Sequence, residues 1–247
     1  RTAMVLLVIS GIYRDATHEA TFSAVAGALF ILPFFLLSAL AGQLADSTDK
    51  ARMVRIVKTA EIIIMLFGAA GLLLHNVPLL LVALTAMGVH STFFGPIKYG
   101  ILPDHLERKE LPKANAWIEA ATFAAILGGT IVGGLASAEG ISVAIFGPMM
   151  MGLAIACWFV SRYIPATGSA APDLVIDKNI FRSTWRLVSE LHGDSRTWRA
   201  ALMVSWFWMV GAIVLSLLPT MVKVSLGGSE TAVTAYLAVF AVAVAIG

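Results

Sequence analysis

A carboxylate and an amide stand inside an otherwise apolar run: Asn115 and Glu119 are four residues apart and so share one helical face. An acid in hydrocarbon is expensive and is kept where it faces a cavity or a partner. The pair is suited to taking up an amine, or to tying its helix to a basic neighbour such as Lys98. Lys98 and Tyr99 close an earlier apolar run, at the depth where ammonium and phenol groups reach the interface. Glu61 follows Lys58 by one turn and reads as its structural partner, whereas His90 reads as a lone, satisfied polar residue of a helix bundle. Cys157 is the single cysteine, which leaves no internal disulfide and no cysteine-based metal site. There is no His-x4-Asp pair, no nucleophile elbow and no glycine-rich nucleotide loop in a loop context. The chemistry on offer is recognition of charge rather than bond making, so the chain reads as neither an enzyme nor the holder of a cofactor or metal.

These residues need long apolar helices to position them. Hydrophobic residues make up 59% of the chain, charged residues 13%, and the mean hydropathy is +0.87. A soluble domain carries roughly 25% charged residues. A net charge of +2, with no basic run interleaved with aromatics, gives no face for nucleic acid. Runs and breakers mark about eight membrane segments. The first is a remnant at 1 to 13. Others cover 21 to 45 with Pro33 inside, 54 to 74, 78 to 96, 114 to 136, 141 to 163 and 199 to 222, and an eighth starts near Thr231. Ala138-Glu-Gly140 is the tight turn between the fifth and sixth. Both ends of the chain fall inside apolar runs, so it reads as a piece of a longer protein, covering about helices 1 to 8 of a two-bundle arrangement. The expected organisation is a six-helix bundle at 1–164, a linker at 165–197 and the start of a second bundle at 198–247.

Lysine and arginine sort to one side. The loop after the second span carries Lys50, Arg52, Arg55 and Lys58, and the loop after the fourth carries Lys98, Arg108, Lys109 and Lys113. The long connection after the sixth carries Arg162, Lys178, Arg182, Arg186, Arg196 and Arg199. Only Arg14 and Lys223 oppose them, so the even-numbered loops are expected in the cytoplasm. Within the connection, Lys178 to Leu191 places Phe181, Trp185, Val188 and Leu191 on one helical face, with Arg182 and Arg186 beside it. That pattern fits a helix lying on the inner membrane surface or a solvated helix beneath the bundle.

The most specific motif is Gly42-Gln-Leu-Ala-Asp46-Ser-Thr-Asp49-Lys50-Ala-Arg52, at the basic end of the second span. A small residue there permits close helix approach, and an acid at a helix end can pair with bases or face a neighbouring helix N-terminus. The segment resembles the signature loop of the major facilitator superfamily, Gly-x-x-x-Asp followed by basic residues. Thr48 and Asp49 stand where that family often has a glycine and a small or basic residue. A second resemblance is to the bacterial lysophospholipid transporter family. It rests on Phe94-Gly-Pro-Ile-Lys98-Tyr99-Gly-Ile-Leu-Pro-Asp104 and Lys113-Ala-Asn115-Ala-Trp-Ile-Glu119-Ala. The closest likeness is to versions whose transporter part precedes acyltransferase and acyl-activating domains.

The resemblance implies an all-α membrane protein of the major facilitator type. Its implied work is to move lysophospholipids from the outer to the inner leaflet of a bacterial inner membrane, where a fused or associated acyltransferase reacylates them. It implies a conformational latch at Gly42, Asp46, Asp49, Lys50 and Arg52. On the residues themselves, Lys98 and Tyr99 lie at a depth suited to a phosphate and a glycerol backbone, Asn115 and Glu119 are the candidates for an amine, and Arg1, in the apolar helix that should line the cavity, is a candidate phosphate partner. Gly128, Gly129, Gly133 and Gly134 are expected to form a smooth packing face on the fifth helix. The seventh span, Met209 to Pro219, lacks the basic residue that free-standing members carry there. A carrier of drugs or small solutes, and a non-transporting anchor for a lipid acyltransferase, are the alternative readings.

Overall fold

The computed structural model describes residues 16–138 and 143–246. Arg1, the first span and residues 139 and 140 of the tight turn lie outside them. The described residues form α1 (Ala16–Ser47), α2 (Lys50–Leu73), α3 (Val77–Gly100), α4 (Leu102–His105), α5 (Leu111–Ala138) and α6 (Val143–Ser161). After a linker without regular structure come α7 (Ile180–Gly193), α8 (Ser195–Thr220), a π-helical turn (Met221–Ser225) and α9 (Glu230–Ile246). Helices suit lipid because they satisfy their own backbone groups.

Local chemistry sets the boundaries. Asp49, Asn76, Asn179 and Asp194 are the N-caps of α2, α3, α7 and α8, each accepting a backbone amide just ahead of it. Between α2 and α3 the chain reverses through His75, the one described non-glycine residue at positive φ (50°), and Asn76 N–H donates to Gly71 O at 2.9 Å. The fourth span was expected to fade near Pro96, yet α3 runs through that proline to Gly100. Lys98 and Tyr99 therefore sit on its last turn rather than in a loop.

α1 packs on α3, α2 lies between α3 and α6, and α5 packs on α9. Buried side chains are few: Ala45, Met53, Val54, Val57 and Ile97 form one cluster, and Ile64, Met65 and Ala154 another. Large apolar side chains point outward instead, with Phe35 73% and Trp117 69% exposed. Water would penalise that surface by about 25 cal/mol per Å². Lipid does not. Four described helices are long and apolar enough to cross a bilayer, namely Val25–Ser47, Lys50–Leu73, Val77–His105 and Ser195–Val214.

The most tightly enclosed of the described glycines is one the sequence did not single out. A Cβ on Gly88 would overlap the carbonyl oxygen of Phe30, which joins α3 to α1 backbone to backbone. By contrast, a Cβ on Gly42, Gly128 or Gly129 would meet no heavy atom within 4 Å. Among the described residues no side chain or backbone closes on those three, and Gly133 and Gly134 continue the same helix α5. Gly88→Ala is expected to destabilise the folded protein by about 2–3 kcal/mol, because the clash is with backbone that no rotamer relieves. Thermal unfolding in detergent checks this, with Gly27→Ala as the neutral control, since a Cβ there meets open space.

Candidate functional site

Three polar clusters interrupt the apolar bundle. The first lies at the basic end, where α1 turns into α2. Asp49 Oδ1 accepts Arg52 N–H at 2.7 Å and so caps α2. Its other oxygen accepts Thr167 N–H at 3.0 Å and Gly168 N–H at 2.9 Å, both from the linker after α6. Gly168 sits at φ +71°, a conformation that suits glycine. Lys50 N–H donates to Thr167 Oγ1 at 3.0 Å. The Asp46 carbonyl receives Ala171 N–H at 2.8 Å and the Ser169 hydroxyl at 3.1 Å. Gln43 Oε1 receives Asp177 N–H at 2.7 Å, and the Arg55 guanidinium donates to Ile164 O at 2.9 Å. The signature loop thus straps the linker to the bundle. The Arg52 amide, and after it the Gly168 and Thr167 amides, hold the Asp49 carboxyl below its usual range against a smaller opposing effect of burial.

Asp46 meets the linker through its backbone. Its carboxylate is exposed and pairs with no base among the described residues, and the carbonyl makes the contacts. The motif's ion pair is instead Lys50 with Asp104, a buried lysine (4% exposed) whose Nζ lies 2.9 Å from Oδ2 of a more accessible aspartate. The Lys50 stem runs alongside Gly100, where a Cβ would stand 3.4 Å from it. Asp104 was not singled out as a partner by the sequence, although its place after Pro103 in the second motif was a signal.

The second cluster lies between α2 and α3. Glu61 Oε2 accepts Lys58 Nζ at 2.8 Å, as expected, and also faces His90 Nε2 at 3.5 Å. His90 is not alone, then. It stacks near Phe94 at 6.1 Å between centroids, and Lys58 Nζ lies 4.6 Å from the same ring. Neither nitrogen of this buried imidazole has a well-formed hydrogen bond among the described residues. His90 also borders a largely apolar cavity of about 890 Å³ between the end of α1, α2 and α3.

The third cluster joins the last turn of α3 to the start of α5. The Tyr99 hydroxyl donates to Glu119 Oε1, and Lys98 Nζ donates to Thr122 Oγ1 at 3.1 Å. Lys98 Nζ also lies 4.5 Å from the centre of the Tyr99 ring. The Lys98–Glu119 tie raised by the sequence is not formed, because tyrosine takes the carboxylate and threonine takes the ammonium. Thr122 was missed, although it lies one turn beyond Glu119 on the same helical face. Asn115 is exposed and one turn away on α5, and its side chain makes no hydrogen bond among the described residues. The structure therefore gathers Lys98, Tyr99 and Glu119, leaves Asn115 at the edge, and places Lys98 with no carboxylate partner among the described residues.

Exposed apolar helices, polar groups gathered at the helix ends and in a few interhelical clusters, and basic connections concentrated at one end make up a multi-pass helical membrane protein. The chain belongs to the Major Facilitator Superfamily, whose family model matches residues 2–247. It is 31% identical over 225 residues to the lysophospholipid transporter LplT of Escherichia coli (strain K12 / DH10B), and to the same degree to that of Shigella boydii serotype 18 (strain CDC 3083-94 / BS512). Each match covers 89% of this chain and 54% of the relative, so the chain spans about half the length of those curated relatives.

Proposed function

We propose that this protein moves lysophospholipids from the outer to the inner leaflet of a bacterial inner membrane by alternating access, for reacylation on the inner side. The observation that carries this reading is the Lys98–Tyr99–Glu119 cluster. It holds an ammonium without a carboxylate partner, a carboxylate with one oxygen left for a second donor, and the free amide of Asn115 one turn away. A zwitterionic headgroup needs that set: a cation for phosphate and an anion with an amide for the amine. Kinship to transporters named for lysophospholipids supports the substrate class. A drug or solute carrier has no need of paired opposite charges at the headgroup level, and a passive anchor has no need of either. The acyltransferase that uses the product is fused or associated, and membrane lipids surround the rest of the surface.

Cells carrying the complete reading frame are expected to take up an added radiolabelled lysophospholipid and convert it to the diacyl form. Cells carrying it with Lys98→Gln are expected to lose most of that uptake. Uptake no faster than in cells without the gene would sink the proposal.

The same reading puts the basic connections in the cytoplasm. In a Cys157→Ser background, Arg108→Cys is expected to react with an impermeant thiol reagent only after the cells are opened, and His75→Cys in intact cells. Labelling of position 108 from outside would reverse the orientation.

A further inference from the structure

The linker helix α7 is fixed at both ends to the level where spans leave the bilayer. Before it, Asp177 N–H donates to Gln43 on the last turns of α1. After it, Asp194 alone separates Gly193 from Ser195, where α8 and its membrane-spanning stretch begin. Fourteen residues of helix cover about 21 Å between those two points. α7 packs on α1 with Ser183 buried, and Ile180, Thr184 and Leu191 lie half-buried on the same side.

A second apolar face is left uncovered by the described residues. Val188, Phe181 and Trp185 lie within a narrow arc of the helical wheel, and the two aromatics are 79% and 76% exposed. His192 shares that arc and meets Trp198 of the first turn of α8 edge-on, with ring centroids 5.0 Å apart. The free face is thus continuous with an aromatic at the start of a span, the depth at which tryptophan concentrates in membranes. Polar side chains occupy the far side. Arg182 is held by both oxygens of Asp177 at 2.6 and 2.9 Å, and Arg186 by Glu190 at 2.8 Å. Lys178 before the helix and Arg196 and Arg199 after it have no carboxylate partner among the described residues, and they flank the aromatic face at both ends.

We propose that α7 lies in the headgroup layer of the cytoplasmic leaflet, with Phe181, Trp185 and Val188 inserted and Lys178, Arg196 and Arg199 on anionic headgroups. Of the two readings the sequence left open, the bilayer explains both the exposed aromatics and the unpaired bases; a solvated helix explains neither. The linker then does more than join two bundles. It floats their connection on the membrane surface, and the Asp49 strap ties that float to α1 and α2.

Site-directed spin labelling tests this in the complete protein, reconstituted in bilayers of phosphatidylethanolamine and phosphatidylglycerol, with Cys157→Ser as background. Labels go at Phe181→Cys, Trp185→Cys and Val188→Cys, and at Arg186→Cys and Ser189→Cys on the polar side. Insertion gives oxygen contact in excess of nickel-chelate contact at the first three and the reverse at the last two. Equal access of the chelate to all five means a solvated helix. Closure of the first three to both reagents means a protein partner on that face. Either result overturns the proposal. A second reading needs no label: Trp185→Phe is expected to reduce the share of tryptophan emission quenched by lipid brominated near the headgroup. An unchanged share counts against insertion.

Discussion

Asp49→Ala is expected to release the linker from the signature loop and to lower the stability of the bundle by about 2–3 kcal/mol. One carboxylate accepts amides from Arg52, Thr167 and Gly168. Hydrogen bonds to a charged acceptor contribute about 1.5–3 kcal/mol each, and that sum must be discounted because the group is close to solvent. Limited proteolysis should then cut within 165–179 several times faster than in the parent, while α2 and α3 stay intact. Asn at 49 keeps one acceptor and should fall between the two. The pH dependence follows from the sign of the shift. The carboxyl is held below its usual 3.8 in the folded protein, so its contribution is complete above that value and is lost as the pH falls through the lowered one. Amide exchange at Thr167 and Gly168 should rise in acid beyond its intrinsic trend in the parent and show no such step in Asp49→Ala. Cutting and exchange unchanged by the substitution would reduce Asp49 to an ordinary cap of α2.

Within the described residues the apolar helices were legible because hydrophobic runs of membrane length leave little choice of structure, and α7 was legible from its period. The limits of α3 were not, since Pro96 reads as a stop in water while a bundle in lipid carries it within the helix. Of the site, the types of residue could be read, but their partners could not. Lys98 was matched with Glu119 on charge, whereas geometry gives Glu119 to Tyr99 and Lys98 to Thr122. His90 appeared solitary because Glu61 lies on another helix, far away in sequence. The role of Asp49 depends on Thr167 and Gly168, more than a hundred residues downstream, and no local pattern announces such a contact. Gly88 looked like any other glycine until α1 was laid against it.

If the proposed function holds, Glu119→Gln is expected to change which lysolipid the protein carries. The substitution keeps an acceptor for the Tyr99 hydroxyl and the volume of the side chain, but removes the charge that an ammonium headgroup would meet. Losing one partner of a charge-assisted contact costs about 1.5–3 kcal/mol, roughly a tenfold to hundredfold loss. Transfer of ethanolamine lysolipids should fall by about that factor, and transfer of glycerol lysolipids by much less. If the acid served only to hold α5 to α3, both substrates would fall together, with a lower unfolding temperature. An equal loss for the two headgroups would therefore remove Glu119 from substrate recognition.

Transfer between leaflets tests the central claim most directly. Vesicles containing the complete protein would be loaded on their outer face with fluorescent lysophosphatidylethanolamine, and the dye accessible to an external quencher followed over time. The account predicts movement to the inner leaflet well above the rate in protein-free vesicles, and a fall to near that background when Lys98→Gln replaces the parent. Movement no faster than in protein-free vesicles, from a protein shown to be folded and inserted, would contradict it.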